Sequence, residues 1–277
     1  MDTCRVCGTT GEMKQVCARE MMYGTKEEFD YFICPHCGCM QIKQVPTDLS
    51  RYYGGNYYSY APRTVHQVDG PKDMTRVLDV GCGSGDMLCQ MAEQGMGHLV
   101  GCDPFIDEDL HYENGVNIYK CSIHEIEGEY DFIYLNDSFE HMTDPHEVME
   151  SIRRLLAPKG VARIKIPVFP NLAWDMFGSN WYQLDAPRHI FLHSRESMRY
   201  LAEQHGLQIV DTRFDSNISQ IICSFFYEKN ISYYEQDHVN MRDYFDQDDL
   251  RNMLDAVDAA NKEGYGDHAM FYLMKQI

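Results

Sequence analysis

Short apolar runs alternate with stretches of helical periodicity through the middle of the chain. Val77-Leu78-Asp79-Val80 is an apolar run with an acid near its end, the pattern of a buried parallel strand. Asp86 to Gln94 then reads as a helix ended by Gly95. His98 to Asp103 repeats the short strand that ends in an acid, Val116 to Tyr119 is a third strand and Tyr130 to Asn136 a fourth. Asp144-Pro145-His146-Glu147 has the form of a helix start. Asp144 is placed as N-cap, Pro145 at the first position and Glu147 as the closing member of a capping box. That helix shows Val148, Ile152, Leu155 and Leu156 on one face and stops at Ala157-Pro158-Lys159-Gly160; Val161 to Pro167 is the fifth strand. Ser194 caps a helix through Met198, Leu201 and Ala202, Leu207 to Val210 is a sixth strand, Asp248 to Ala260 a helix, and the end from Gly264 to Lys275 reads as a last strand placed after a tight turn. Strands alternating with helices predict an α/β fold with a parallel sheet and a ligand at the strands' carboxyl ends.

The first strand and helix are joined by Gly81-Cys82-Gly83-Ser84-Gly85. Glycines suit a turn that needs positive φ and lets a ligand lie against the backbone. Their spacing is G-x-G-x-G, unlike the G-x-G-x-x-G of dinucleotide folds. Asp103 follows the turn by about twenty residues, where an acid in nucleotide-binding α/β units accepts hydrogen bonds from ribose hydroxyls.

Composition narrows the class. With 277 residues and 44% hydrophobic content the chain can bury a real core. It has no apolar run of membrane-span length, and its polar start carries no signal-peptide pattern. The formal charge of −19 argues against a general nucleic-acid surface, which needs clustered Lys and Arg. Eleven cysteines, several inside predicted core strands, suggest reduced thiols in a cytoplasm, some of them bound to metal.

The metal is expected at the amino terminus. Cys4-Arg5-Val6-Cys7-Gly8 and Cys34-Pro35-His36-Cys37-Gly38 are two C-x-x-C-G knuckles, each placing two thiolates on one tight turn. Together Cys4, Cys7, Cys34 and Cys37 complete a tetrahedral, structural Zn2+ site. A segment of about forty residues has too little core to fold unaided, so zinc supplies much of its folding energy. Cys17 and Cys39 are read as bystanders, Cys39 as a possible competing ligand. The domain reading is a zinc ribbon over 1–45, an aromatic-rich linker over 46–72 that includes Tyr52, Tyr53, Tyr57, Tyr58 and Tyr60, and the α/β domain over 73–277 with an insertion at about 216–265. The linker tyrosines pack the ribbon onto the main domain or cover a cofactor.

Val77 to Gly85, Gly101-Cys102-Asp103-Pro104, Tyr130 to Tyr134, Glu140-His141-Met142-Thr143-Asp144-Pro145 and Leu155 to Gly160 resemble, in order, the motifs of class I S-adenosylmethionine-dependent methyltransferases. The resemblance implies a Rossmann-like seven-stranded methyltransferase sheet, with the seventh strand inserted antiparallel beside the sixth, and S-adenosylmethionine as cofactor. It implies that Gly81, Gly83 and Gly85 border the methionine moiety and that Asp79 orients the loop or meets the amino group through water. Asp103 would bind the ribose, and Asn136 would lie near the sulfonium. The loop at Cys121-Ser122-Ile123 would edge the adenine; many members carry an acid or amide where this chain has Ser122.

The carboxyl-terminal half should hold the acceptor chemistry. Trp181 to Ile190 and the ending Gly266 to Leu273 resemble a bacterial subgroup associated with glycan and secondary-metabolite pathways. The implied acceptor is a small molecule or sugar, methylated at oxygen, nitrogen or carbon. His189 is the first candidate for a base and His141 the second, since imidazole removes protons near neutral pH. Arg188 can hold an anionic part of the substrate or pair with Asp185. Asp137-x-x-Glu140-His141 also resembles the acid-x-x-Glu-His arrangement with which some O-methyltransferases bind a divalent ion, His189 then being a fourth ligand. The rival readings are a zinc-ribbon RNA methyltransferase and a non-catalytic cofactor-binding scaffold.

Overall fold

The computed structural model describes residues 1–53 and 76–276. Most of the expected linker, with Tyr57, Tyr58 and Tyr60, lies outside the described residues. The chain forms two compact units. One comprises residues 1–52, 167–200 and 213–270; the other comprises 53–166, 201–212 and 271–277.

In the first unit, β1 (Asp2–Thr3) pairs with β2 (Thr10–Gly11) around the first knuckle. β3 (Lys14–Arg19), β4 (Glu28–Ile33) and β5 (Met40–Ile42) form an antiparallel meander. Alternation along β3 buries Val16 and Ala18 and leaves Cys17 exposed, and Cys17 is outside the group of Cys4, Cys7, Cys34 and Cys37.

The rest of the chain builds the α/β layers. Val77–Val80 is β6, Asp86–Glu93 is α1, Leu99–Cys102 is β7, Leu110–His111 is β8, Asn117–Tyr119 is β9 and Tyr130–Asn136 is β10. Then come α2 (Pro145–Leu155), β11 (Leu156–Pro167), α3 (Leu172–Phe177), β12 (Phe191–Leu192) and α4 (Arg195–Gln204). β13 (Leu207–Phe214), α5 (Ser219–Glu228), α6 (Gln247–Glu263) and β14 (His268–Lys275) complete it. One mixed sheet has the order β13-β14-β11-β10-β6-β7-β9-β8, and β12 extends the amino-terminal meander as β12-β5-β4-β3. β6 is buried along its whole length because it has a parallel neighbour on each side, β10 and β7. Val77, Leu88, Met91, Leu99, Val116, Ile118, Phe132 and Tyr134 form a core cluster of the sheet and α1.

The sheet has eight strands where seven were expected. The extra one, β8, is a two-residue antiparallel edge against β9, and its polar surroundings give no strand pattern. The last strand does lie beside the sixth expected one, since β14 sits between β13 and β11. The helix at Asp144 begins where expected, but Asp144 makes no side-chain cap bond. Its carboxylate instead meets His124 Nε2 at 2.8 Å. β11 starts at Leu156 rather than Val161, and the Pro-Lys-Gly segment is taken up as an irregularity opposite Tyr130 and Phe132. Gly160 fits there because a Cβ would stand 2.8 Å from the Tyr130 carbonyl oxygen. The helix expected at 248–260 is α6, begun by a capping box between Asp246 and Asp249 and ended by Gly264 at φ 72°.

Candidate cofactor and metal sites

The glycine turn leaves the carboxyl end of β6 in the second unit. Gly81, Gly83 and Gly85 all have positive φ, at 72°, 55° and 81°. Two of them are also packed tight: a Cβ on Gly81 would lie 2.6 Å from Ser138 Cβ, and one on Gly85 would lie 2.6 Å from Ile118 Cδ1. Gly83 differs, because among the described residues nothing lies within 4 Å of where its Cβ would be. Among those residues none fills the place of its missing side chain, which leaves backbone available to a ligand.

Asp103, just past β7, holds this turn from the side. Its Oδ2 accepts from Gly83 N at 2.9 Å and its Oδ1 from Phe105 N at 2.8 Å. A carboxylate offers about four acceptor positions, so two remain for hydroxyl groups. Asp79 is buried on β6, in register with Tyr134 of β10. Tyr134 is in turn in register with Arg163 of β11, so the three share a face of the sheet.

Asn136, at the end of β10, is fixed by that same row. Arg163 Nη2 donates to Asn136 Oδ1 at 2.8 Å, and the Asn136 amide lies 3.5 Å from Met87 Sδ on α1. The Arg163 guanidinium stacks over Tyr134 at 4.5 Å from the ring centroid. Nothing in the sequence singled out Arg163; only the strand register brings it to Asn136. Ser122 directs its hydroxyl and its N–H to Glu125 Oε2, each at 3.0 Å, so its proton serves the local turn. Asp137 has φ 49° and donates its N–H to Lys165 O at 2.9 Å. Glu140 is buried, and His141 Nδ1 lies 3.1 Å from Tyr53 Oη.

His189 belongs to the first unit. Its Nδ1 is 2.7 Å from Gln183 O. A carbonyl only accepts, so Nδ1 carries the proton and Nε2 the lone pair. Nε2 stands 3.8 Å from Asp185 Oδ2. Arg188 does not project toward solvent. It is fully buried, bonded to Asp185 through Nε at 2.9 Å and through Nη2, to Glu20 Oε1 at 3.1 Å and to Tyr52 O at 3.1 Å. Of the two roles open to Arg188 in the sequence, the structure carries the ion pair.

The two knuckles meet. The ligand sulfurs of Cys4, Cys7, Cys34 and Cys37 all lie within 4.8 Å of one another. Cys4 to Cys37 is 3.6 Å and Cys7 to Cys34 is 3.5 Å. Four sulfurs at about 2.3 Å from a tetrahedral zinc stand about 3.8 Å apart, so the cluster has the size a metal needs. In the knuckle turns Gly8 N and Gly38 N each donate 2.9 Å bonds, to Cys4 O and Cys34 O, with positive φ at both glycines. Buried Gln41 of β5 donates to Cys4 Sγ at 3.1 Å and accepts from Arg5 N at 2.9 Å. The Cys4 thiol is held down, to about 4, chiefly by its contact with Cys37, whose own thiol the same contact pushes up. Cys39 is fully buried and outside the four-sulfur group, and burial pushes its thiol well up.

Among the described residues no helix is long and apolar enough to cross a membrane. The family model described as a methyltransferase domain matches residues 53–212. A C-methyltransferase, NovU, of Streptomyces niveus is 25% identical over 244 residues, covering 76% of this chain and 57% of the relative. A ubiquinone biosynthesis O-methyltransferase of Erwinia tasmaniensis is 35% identical over 95 residues, 31% of this chain and 39% of the relative. These matches thus span less than two thirds of either relative's own length. Among solved structures, a chain from the complex between the Haloferax volcanii Trm112 methyltransferase activator and its methyltransferase aligns with TM-score 0.51 at 15% identity, over 83% of this chain and 92% of that one, a likeness of fold. With more than half of its length matched, on an α/β sheet that carries the glycine turn, this chain belongs to the methyltransferase-domain family.

Proposed function

We propose that this chain transfers a methyl group from S-adenosylmethionine to the oxygen, nitrogen or carbon of a small-molecule or sugar acceptor. The observation that carries the reading is the open backbone at Gly83, held by Asp103 at the carboxyl end of β6. When bound, the cofactor supplies an activated methyl group that leaves its sulfonium by in-line displacement. The chain's own task is then to align the acceptor and exclude water.

In this reading Gly81, Gly83 and Gly85 border the methionine part and Asp79 steadies the loop from β6. Asp103 uses its two remaining acceptor positions for ribose hydroxyls, and Ser122 borders the adenine edge. Asn136 faces the sulfonium end, its carbonyl oriented by Arg163. An oxygen or carbon acceptor must lose a proton, and His189 Nε2 is the group assigned to take it. The imidazolium so formed is stabilised by Asp185. His141 is the second candidate. A divalent ion held by Asp137, Glu140 and His141 is the alternative means of acidifying a hydroxyl, and turnover that requires added magnesium distinguishes it.

The relatives' names support oxygen or carbon as acceptor atom, and the net charge of −19 weighs against RNA. The four-cysteine cluster is assigned to one structural Zn2+, since four thiolates leave no open coordination position. The base assignment is tested with His189→Gln. Turnover should fall by about 10²–10⁴-fold with S-adenosylhomocysteine affinity unchanged; unchanged turnover removes His189 from the role.

A further inference from the structure

Tyr53 is the residue to which the chain's second unit owes an unexpected three-ring array. Its ring is stacked on Phe105, with centroids 6.3 Å apart and planes 16° apart, and meets the His141 ring edge-on at 6.0 Å. Its hydroxyl is 3.1 Å from His141 Nδ1. Phe105 follows β7 and donates its N–H to Asp103, while His141 follows β10. In the sheet β6 lies between β7 and β10, so the two partners of Tyr53 flank the glycine turn on either side. Two strand spacings amount to about 10 Å, a distance one tyrosine placed between two rings can bridge. Phe105 and Gly83 are tied through one carboxylate, since Asp103 accepts from both of their N–H groups, and among the described residues nothing lies near the absent side chain of Gly83. Phe105 is 77% exposed, unusual for a large aromatic side chain. That exposure is explained if a ligand covers part of its surface.

The geometry points to Tyr53, Phe105 and His141 as an aromatic roof over the cofactor slot, with Tyr53 as a binding residue that retains the cofactor. This rests on the S-adenosylmethionine reading above. The roof acts mainly on escape, since apolar ring surface covering a bound ligand slows its dissociation more than its arrival. The His141 bond orients the tyrosine; the ring itself supplies the cover.

Dissociation of S-adenosylhomocysteine from the full chain, followed by stopped-flow, tests this. Tyr53→Ala and Phe105→Ala should each raise the dissociation rate by about tenfold or more, whereas Tyr53→Phe, which keeps the ring, should stay within about threefold of wild type. Phe105 is exposed, so its variant keeps the fold even if Tyr53→Ala does not, and a thermal melt checks both. Wild-type dissociation rates in Phe105→Ala and in folded Tyr53→Ala overturn the roof. Failure of the wild-type chain to bind S-adenosylhomocysteine overturns the cofactor reading instead.

Discussion

Removal of the metal from the Cys4–Cys7–Cys34–Cys37 cluster with a strong chelator is expected to unfold the amino-terminal ribbon. The expectation follows from size. β1 to β5 are short, and the meander buries few large side chains besides Tyr31, Phe32, Met40 and Ile42. A structural zinc binds with about 10–16 kcal/mol in small domains, more than such a core supplies. The loss should spread beyond the knuckles, because Ser194 Oγ donates to Cys37 O and accepts from Ser197 N at 2.9 Å in the first turn of α4. Elemental analysis should find one zinc per chain, and the chelated protein should lose strand signal in circular dichroism and melt at a lower temperature. Cys4→Ser should behave in the same way. A metal-free preparation with an unchanged melt removes the structural zinc.

The second large effect is expected from Arg188→Leu. Arg188 is a fully buried cation between two buried carboxylates, Glu20 and Asp185. Breaking such a network leaves uncompensated buried charge and costs roughly 3–5 kcal/mol. Glu20 keeps some compensation, since it also accepts from Tyr23 N at 2.9 Å, Thr25 N at 3.0 Å and Thr25 Oγ1 at 3.1 Å. Asp185 is the second carboxylate beside Arg188, so the double change Arg188→Leu with Asp185→Asn, which removes its charge, should recover part of the loss. Arg251→Ala, which breaks an exposed pair with Asp248, should cost within about 1 kcal/mol. Urea denaturation distinguishes these outcomes. An Arg188→Leu protein as stable as wild type would show that the network contributes little.

These effects separate what local pattern reveals from what register reveals. The glycine turn, the knuckles and the strand–helix alternation are contiguous signals, because φ, turn chemistry and hydrophobic period act over a few residues. The residues that complete the sites are not contiguous. Glu20 reaches Arg188 across the first unit, and Arg163 reaches Asn136 only because β10 and β11 pair in one register. α5 was hidden for another reason. Its Ile-Ile-Cys-Ser-Phe-Phe-Tyr run is apolar on most sides, and such a run does not announce a helical period. Within the region read from sequence as an insertion, Phe225 and Phe226 meet Tyr244 and Phe245 edge-to-face, with Phe226 and Phe245 buried. Asp144 is a case of competition, its carboxylate taken by His124 instead of the helix end.

The account stands most directly on one titration. Purified chain titrated calorimetrically with S-adenosylmethionine and with S-adenosylhomocysteine should bind each at one site per chain. The same preparation, incubated with S-adenosylmethionine and a panel of small metabolites and nucleotide sugars, should yield a product heavier by one methyl group in the mass spectrum. Binding of neither cofactor form would contradict the central claim; binding without any methylated product across the panel would favour the non-catalytic scaffold.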